Sequence, residues 1–219
     1  MKISFHELKE KLKNRDVECN IINRGEYLDS SVLILITDID GESYIVFEKR
    51  GKVIRQGGEI CFPGGIKEEN DKNSFETALR ESEEELGIAK EKIKETGKFG
   101  TIVMGSGIIV EVYVGFAEYN EIKNSFKTSD EVAELVFVPV QFFLNNRAEE
   151  YKIKTVNYSK YTNKKGEEEI LFPAESLGLP ELYHENWSGR DREIVLYRYE
   201  NEMIWGITGK IIQKFAEIL

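Results

Sequence analysis

Gly64-Gly65-Ile66-Lys67-Glu68-Glu69-Asn70-Asp71-Lys72-Asn73-Ser74-Phe75-Glu76-Thr77-Ala78-Leu79-Arg80-Glu81-Ser82-Glu83-Glu84-Glu85-Leu86-Gly87-Ile88 is the stretch on which the reading of this chain turns. Asn73 followed three residues later by Glu76 is a helix N-cap signal, and Gly87 sits where a helix would end. The spacing therefore predicts a helix over 73–86. Phe75, Ala78, Leu79, Ser82 and Leu86 fall at i, i+3, i+4, i+7 and i+11, which is one inward face. Glu81, Glu84 and Glu85 fall at i, i+3 and i+4 on a neighbouring face, and Glu83 points elsewhere. Three like charges repel there, and they lie in the half of the helix where its dipole disfavours anions. Arg80 can pair with Glu84 but cannot neutralise all three. A bound hard cation such as Mg²⁺ or Mn²⁺ would remove the conflict. Taken alone, however, the carboxylates fit a solvated acidic face better, because 32% of the chain is charged.

Upstream, Ser31 to Thr37 reads as a buried strand, Asp40-Gly41 as a hairpin turn, and Ser43 to Glu48 as a second strand. Gly51 to Gly65 is glycine-rich. Residues 49–58 carry Lys49, Arg50, Lys52 and Arg55 and no acid, whereas residues 67–91 carry nine acids and four bases. Residues 4–14 read as a short helix with Phe5, Leu8 and Leu12 on one side. Downstream, Ile108 to Tyr119 is a long strand. Glu134 to Val138 is another, stopped by Pro139 before a short helix through Leu144. Residues 146–192 are irregular, with Tyr151–Tyr158 and Glu169–Phe172 as candidate strands. Glu193–Tyr199 reads as a strand and Met203–Ile218 as a closing amphipathic helix. Strands and helices intermix, which predicts an α/β (α+β) architecture, a mixed sheet covered by helices.

The 219 residues allow one large domain or two small ones. No linker or repeat divides them, so a single domain over 1–219 is expected, with 1–25 as a helical extension and 146–192 as an insertion. A net charge of −10 argues against non-specific nucleic-acid binding. A small phosphorylated ligand remains compatible if a cation mediates. No apolar run reaches a membrane span and no targeting segment is visible, so no membrane association and a cytoplasmic location are expected. Cys19 and Cys61 read as reduced thiols, His6 and His184 as structural residues, and Trp187 and Trp205 as packing residues. The oligomeric state is left open, with a homodimer compatible.

The full segment carries more than its carboxylates. Arg80 to Ile88 resembles the signature R-E-U-x-E-E-x-G-U of the Nudix hydrolases, with U apolar, and Phe62-Pro63-Gly64-Gly65 resembles the approach to the same box. Ser82 stands at an apolar position. The spacing from Gly65 to Arg80 is one residue longer than usual, and Asp71 with Lys72 stands where a glutamate is common. That longer spacing is similar to the coenzyme A pyrophosphatase branch. Arg50, Arg55, Gly58 and Phe62 to Gly65 resemble the upstream motif of that branch, with one residue fewer between Arg55 and Gly58. Ile204 to Gly209 resembles its closing stretch.

The resemblance implies a Nudix fold, an αβα sandwich with a mixed β-sheet. It implies a metal site of Glu81, Glu84, Glu85 and the carbonyl of Gly64 holding Mg²⁺ or Mn²⁺, with Arg80 orienting the glutamates. Glu131, in a loop between strands, is the candidate for a further carboxylate, as metal ligand or base. Lys49, Arg50 and Arg55 are the candidates for substrate phosphates. The implied reaction is hydrolysis of a nucleoside-linked diphosphate, with coenzyme A giving 3′,5′-ADP and 4′-phosphopantetheine. ADP-ribose, a dinucleotide or a nucleoside triphosphate are the alternative substrates. A non-catalytic nucleotide sensor of the same fold is the alternative class.

Overall fold

The computed structural model describes residue 21 and residues 23–219. The helix expected at 4–14, with His6 and Cys19, lies outside the described residues. In chain order the strands are β1 (Leu28–Ile39), β2 (Glu42–Arg50), β3 (Ile60–Cys61), β4 (Gly64–Ile66), β5 (Lys94–Met104), β6 (Ile108–Phe116) and β7 (Val132–Pro139). They continue with β8 (Glu149–Ile153), β9 (Val156–Asn157), β10 (Lys160–Thr162), β11 (Glu168–Ile170), β12 (Trp187–Ser188), β13 (Arg192–Tyr199) and β14 (Glu202–Trp205). The helices are α1 (Ser74–Leu86), α2 (Tyr119–Ser125), α3 (Val140–Asn145) and α4 (Gly206–Ala216). The chain forms two compact units. Of the described residues, those up to Gly41 join Phe62–Ser129 in the first, and Glu42–Cys61 join Asp130–Leu219 in the second.

The first unit is organised on β1. It runs parallel to β6 from Leu28↔Ile108 to Ile36↔Phe116 and antiparallel to β4 through Ser31↔Gly65. β5 completes the ladder antiparallel to β6. Leu33, Ile34, Leu35 and Ile36 are all buried. A run of this kind needs cover on both faces, which is why the sequence shows no alternation here. α1 and α2 both pack on β1. Asn73 caps α1 by accepting from the N–H groups of Phe75 and Glu76, each at 3.0 Å. Gly87 ends the helix at φ 71°, where a side chain would also meet the Ser125 carbonyl oxygen 2.6 Å away. The predicted inward face is borne out. Ala78, Leu79, Ser82 and Leu86 are buried, and the half-buried Phe75 ring lies 5.1 Å from that of Tyr113.

In the second unit, β2 pairs antiparallel with β7 from Tyr44↔Pro139 to Arg50↔Val132. The register shifts between Lys49 and Arg50, so Ala133 is the extra residue of a β-bulge. β13 lies between β14 and β8. α4 lies on β13, and at Gly209 the approach is so close that a Cβ would stand 2.6 Å from the Val195 carbonyl oxygen. Phe143 meets Tyr197 edge-on at 5.1 Å and also contacts Phe47 at 6.2 Å. The region 146–192 forms short antiparallel pairs, β10 with β11 and β9 with β12. Trp187 packs edge-on against Tyr183 at 5.4 Å, as expected of a packing residue.

Three expectations need correction. The closing helix begins at Gly206, because Glu202–Trp205 pairs with β13 through a turn in which Glu200 is left-handed (φ 53°). The strand from Ile108 ends at Phe116, and Tyr119 opens α2. β5 was not expected. Its glycines, Gly97 and Gly100, lie at two register shifts and interrupt the alternation that marks a strand.

Candidate active site

The first unit assembles the acidic helix against the glycine pair. The Gly64 N–H donates to Glu85 Oε2 at 2.9 Å. Gly64 has φ 151°, and a side chain there would overlap the Ser31 carbonyl on the neighbouring strand. At Gly65 a Cβ would overlap the carboxylate of Glu81. Glycine at 65 is thus what lets that carboxylate rest on the β4 backbone. Glu84 lies further out, its side chain 57% exposed, whereas that of Glu81 is 16% exposed.

Arg80 is the organiser. Its Nη2 lies 3.0 Å from Glu81 Oε1 and its Nη1 3.0 Å from Glu84 Oε2. Nη2 also donates to the carbonyl oxygen of Ile66 at 3.1 Å. Arg80 is itself held from behind. Nε and Nη2 donate to the two oxygens of buried Asp71 at 3.1 and 3.2 Å. This fork is the strong form of an arginine–carboxylate pair. Asp71 Oδ2 further accepts the Glu68 N–H at 2.9 Å. The Arg80 hydrogen bonds hold the Asp71 carboxyl down at about 2, against the pull of burial. The longer spacing of the motif thus has a physical resolution: the loop after Gly65 carries its acid one residue early, and Asp71 reaches Arg80.

Burial pushes the Glu81 carboxyl up. Arg80 opposes this, and Glu84 and Glu68 add to it. A half-buried carboxylate with acidic neighbours and one shared guanidinium lacks positive charge. The donor set, carboxylates and a carbonyl, suits a hard divalent cation. The residues fit such an ion in chemistry, and no ready-made cage exists: among the described residues no group of three or more His, Cys, Asp or Glu side chains converges as a metal site. Glu81, Glu84 and Glu85 are held by Arg80, Gly65 and Gly64, the last through its N–H.

The remaining candidates belong to the second unit. The basic loop is closed at its base by Arg50 N–H to Glu59 O and Gly58 N–H to Arg50 O, both at 2.9 Å. Arg50 Nε donates to the Arg55 carbonyl oxygen at 3.3 Å, tying the two candidate arginines together. The Gly51 N–H donates to the Glu131 carbonyl oxygen at 2.7 Å, so the structure brings Glu131 beside this loop. Arg55 and Glu131 are both exposed. Lys49 departs from expectation. Successive strand residues face opposite ways. Lys49 Nζ is held at 2.5 Å by Glu202 and at 3.0 Å by Glu134, whereas Arg50 faces buried Glu48 with Nη1 3.9 Å from its carboxylate. The two neighbouring cations therefore have different carboxylate partners. Cys61 Sγ lies 3.1 Å from Glu48 Oε1, and burial pushes its thiol far above the usual range. It is a free thiol.

Sequence reasoning missed the Asp71–Arg80 fork as a contact, the seating of Glu81 on Gly65, and the Gly51–Glu131 link. The spacing irregularity at Asp71 was the signal for the first. Nothing in the sequence pairs residue 51 with residue 131.

A model described as the NUDIX domain matches residues 28–158. The peroxisomal coenzyme A diphosphatase NUDT7 of Mus musculus is 32% identical over 142 residues, 64% of this chain and 56% of the mouse protein. The chain thus spans little more than half the length of that relative. A Photorhabdus laumondii protein called uncharacterized Nudix hydrolase NudL is 26% identical over 176 residues, covering 79% of this chain and 75% of its own. Among solved structures, an Ap4A hydrolase of C. elegans in a binary complex aligns with a TM-score of 0.45 at 14% identity. That alignment covers 54% of this chain and 84% of the other.

Proposed function

The chain belongs to the NUDIX domain family, and from that premise we propose that it is a metal-dependent pyrophosphohydrolase that cleaves coenzyme A or its derivatives to 3′,5′-ADP and 4′-phosphopantetheine. The observation that carries the reading is the seating of Glu85 on the Gly64 N–H and of Glu81 against Gly65, with Glu81 and Glu84 paired to an arginine that Asp71 locks in place. A divalent ion held by Glu81, Glu84, Glu85 and the Gly64 carbonyl would neutralise diphosphate charge and acidify a bound water.

The chain's own groups do the rest. Arg80 holds the glutamates in orientation and Asp71 holds Arg80, so neither needs to touch substrate. Arg50 and Arg55 offer guanidinium forks to phosphate oxygens. Glu131 supplies a carboxylate able to accept a proton from the attacking water. The choice of coenzyme A is supported by the likeness to the mouse diphosphatase and by the paired arginines, since this substrate carries a 3′-phosphate beyond its diphosphate.

The test is a substrate panel with Mg²⁺ or Mn²⁺: coenzyme A, acyl-coenzyme A, ADP-ribose, NADH and nucleoside triphosphates. Coenzyme A or an acyl derivative should give the highest kcat/KM. Preference for ADP-ribose, NADH or a nucleoside triphosphate would overturn the substrate, and no turnover with any of them would overturn the enzyme.

A further inference from the structure

Granted that the basic loop holds substrate phosphates and that Glu131 serves the reaction, we propose that Gly51 is a positioning residue that makes the loop and the Glu131 segment one rigid corner. Gly51 is buried. A Cβ placed on it would overlap the Asp130 carbonyl oxygen, with the Asp130 carbonyl carbon 2.8 Å away and the Glu131 carbonyl oxygen 3.5 Å away. The obstacle is backbone and has no rotamer with which to yield. The Gly51 N–H is donated into the same segment, to Glu131 O at 2.7 Å.

On one side of this contact, the Gly58 N–H bond to Arg50 O closes the loop, and Arg50 Nε reaches Arg55 O. On the other side lies the β-bulge, where Lys49 pairs with Glu134 and Arg50 with Val132. Bulges re-aim the residues beside them. This one brings the end of β7 round so that Asp130 and Glu131 meet Gly51. A displacement of the arginines is thereby a displacement of Glu131. Phosphate recognition and the position of the reacting carboxylate are coupled through one backbone contact.

Gly51→Ala tests this. The methyl must push the Asp130–Glu131 backbone away, and a misplacement of about 1 Å costs up to ~100-fold in rate. With the preferred substrate, kcat should fall about ten- to a hundredfold and KM should rise. In a Glu131→Gln background the same substitution should lower kcat by no more than about threefold, because its route to the reaction is already gone. Multiplying kcat losses would overturn the proposal.

A second measurement stands if Gly51→Ala does not fold, and it needs no turnover. A Cβ at Gly57 would lie 2.6 Å from the Lys52 carbonyl oxygen and 2.7 Å from that of Gly51, so Gly57→Ala loosens the loop from within. Hydrogen exchange at the Gly58 and Gly51 amides should then accelerate by the same factor. Acceleration at Gly58 with Gly51 unchanged would show that loop and segment open separately. That result refutes the corner whether or not the chain hydrolyses coenzyme A.

Discussion

Replacing Asp71 by Asn leaves shape nearly intact and removes the charge that fixes Arg80. The carboxyl drops from 3.8 to about 2 on folding. At ~1.36 kcal/mol per pH unit this corresponds to ~2.5 kcal/mol of stability at neutral pH. The Asp71 side chain is 6% exposed, so solvent screening removes little of it. The Arg80 pKa is raised by the same hydrogen bonds and describes the same energy, so it is not added. Because the folded value is depressed, the contribution is complete above the unfolded value and is lost as pH falls through about 2. Urea unfolding of both proteins at pH 7, 5, 4, 3 and 2.5 should show the variant ~2–3 kcal/mol less stable at pH 7, with the gap unchanged to about pH 5 and mostly closed at pH 2.5. At pH 7, in conditions where the variant is folded, kcat should fall about tenfold or more, because a loosened Arg80 releases Glu81 and Glu84. A gap that does not depend on pH, or none at pH 7, would refute the assignment of the Arg80–Asp71 fork.

Glu81→Gln or Glu85→Gln should lower kcat by roughly a hundredfold or more. Burial raises the Glu81 carboxyl, so Glu81→Gln should also hold or slightly raise the melting temperature at pH 7, and a large loss of stability would contradict that environment. Leu79→Ala should cost ~2–5 kcal/mol in denaturant unfolding while the kinetic constants of the folded variant change far less than those of Glu81→Gln. Removing the 3′-phosphate of coenzyme A should cost the native enzyme about ten- to a hundredfold in kcat/KM, and Arg55→Ala should erase most of that difference. Lys49→Ala should leave it in place, since Lys49 is taken by Glu202 and Glu134. A loss of discrimination there would reverse the strand-face assignment.

Local chemistry was legible wherever a residue's role depends on near neighbours in sequence. Asn73 and Gly87 bound α1 as read, and the Arg80–Glu84 pair forms at i, i+4. The buried run of β1 was legible because both its faces are covered. Contacts fixed by pairing across the fold were not. Lys49 and Arg50 are neighbours in sequence and looked like one basic cluster, and only the strand geometry separates them. Glu202–Trp205 carries a helix-compatible pattern, yet pairing with β13 makes it a strand. Glu131 could be nominated by its place in a loop between strands together with the family resemblance, and its link to Gly51 required the register of β2 and β7.

The parallel β1–β6 pair has a cost in time. Leu28 is matched with Ile108 and Ile36 with Phe116, so every rung joins residues 80 apart. At ~5–20 residues per second, a ribosome needs about 4–16 s to deliver β6 after β1 has been made. Through that interval one edge of Val-Leu-Ile-Leu-Ile waits without its partner, and it has the composition of a segment that self-associates. Lowering the concentration of nascent chains, by weak induction or by added holdase chaperone, should raise the soluble yield of this protein more than slowing translation does, because slower synthesis lengthens the wait.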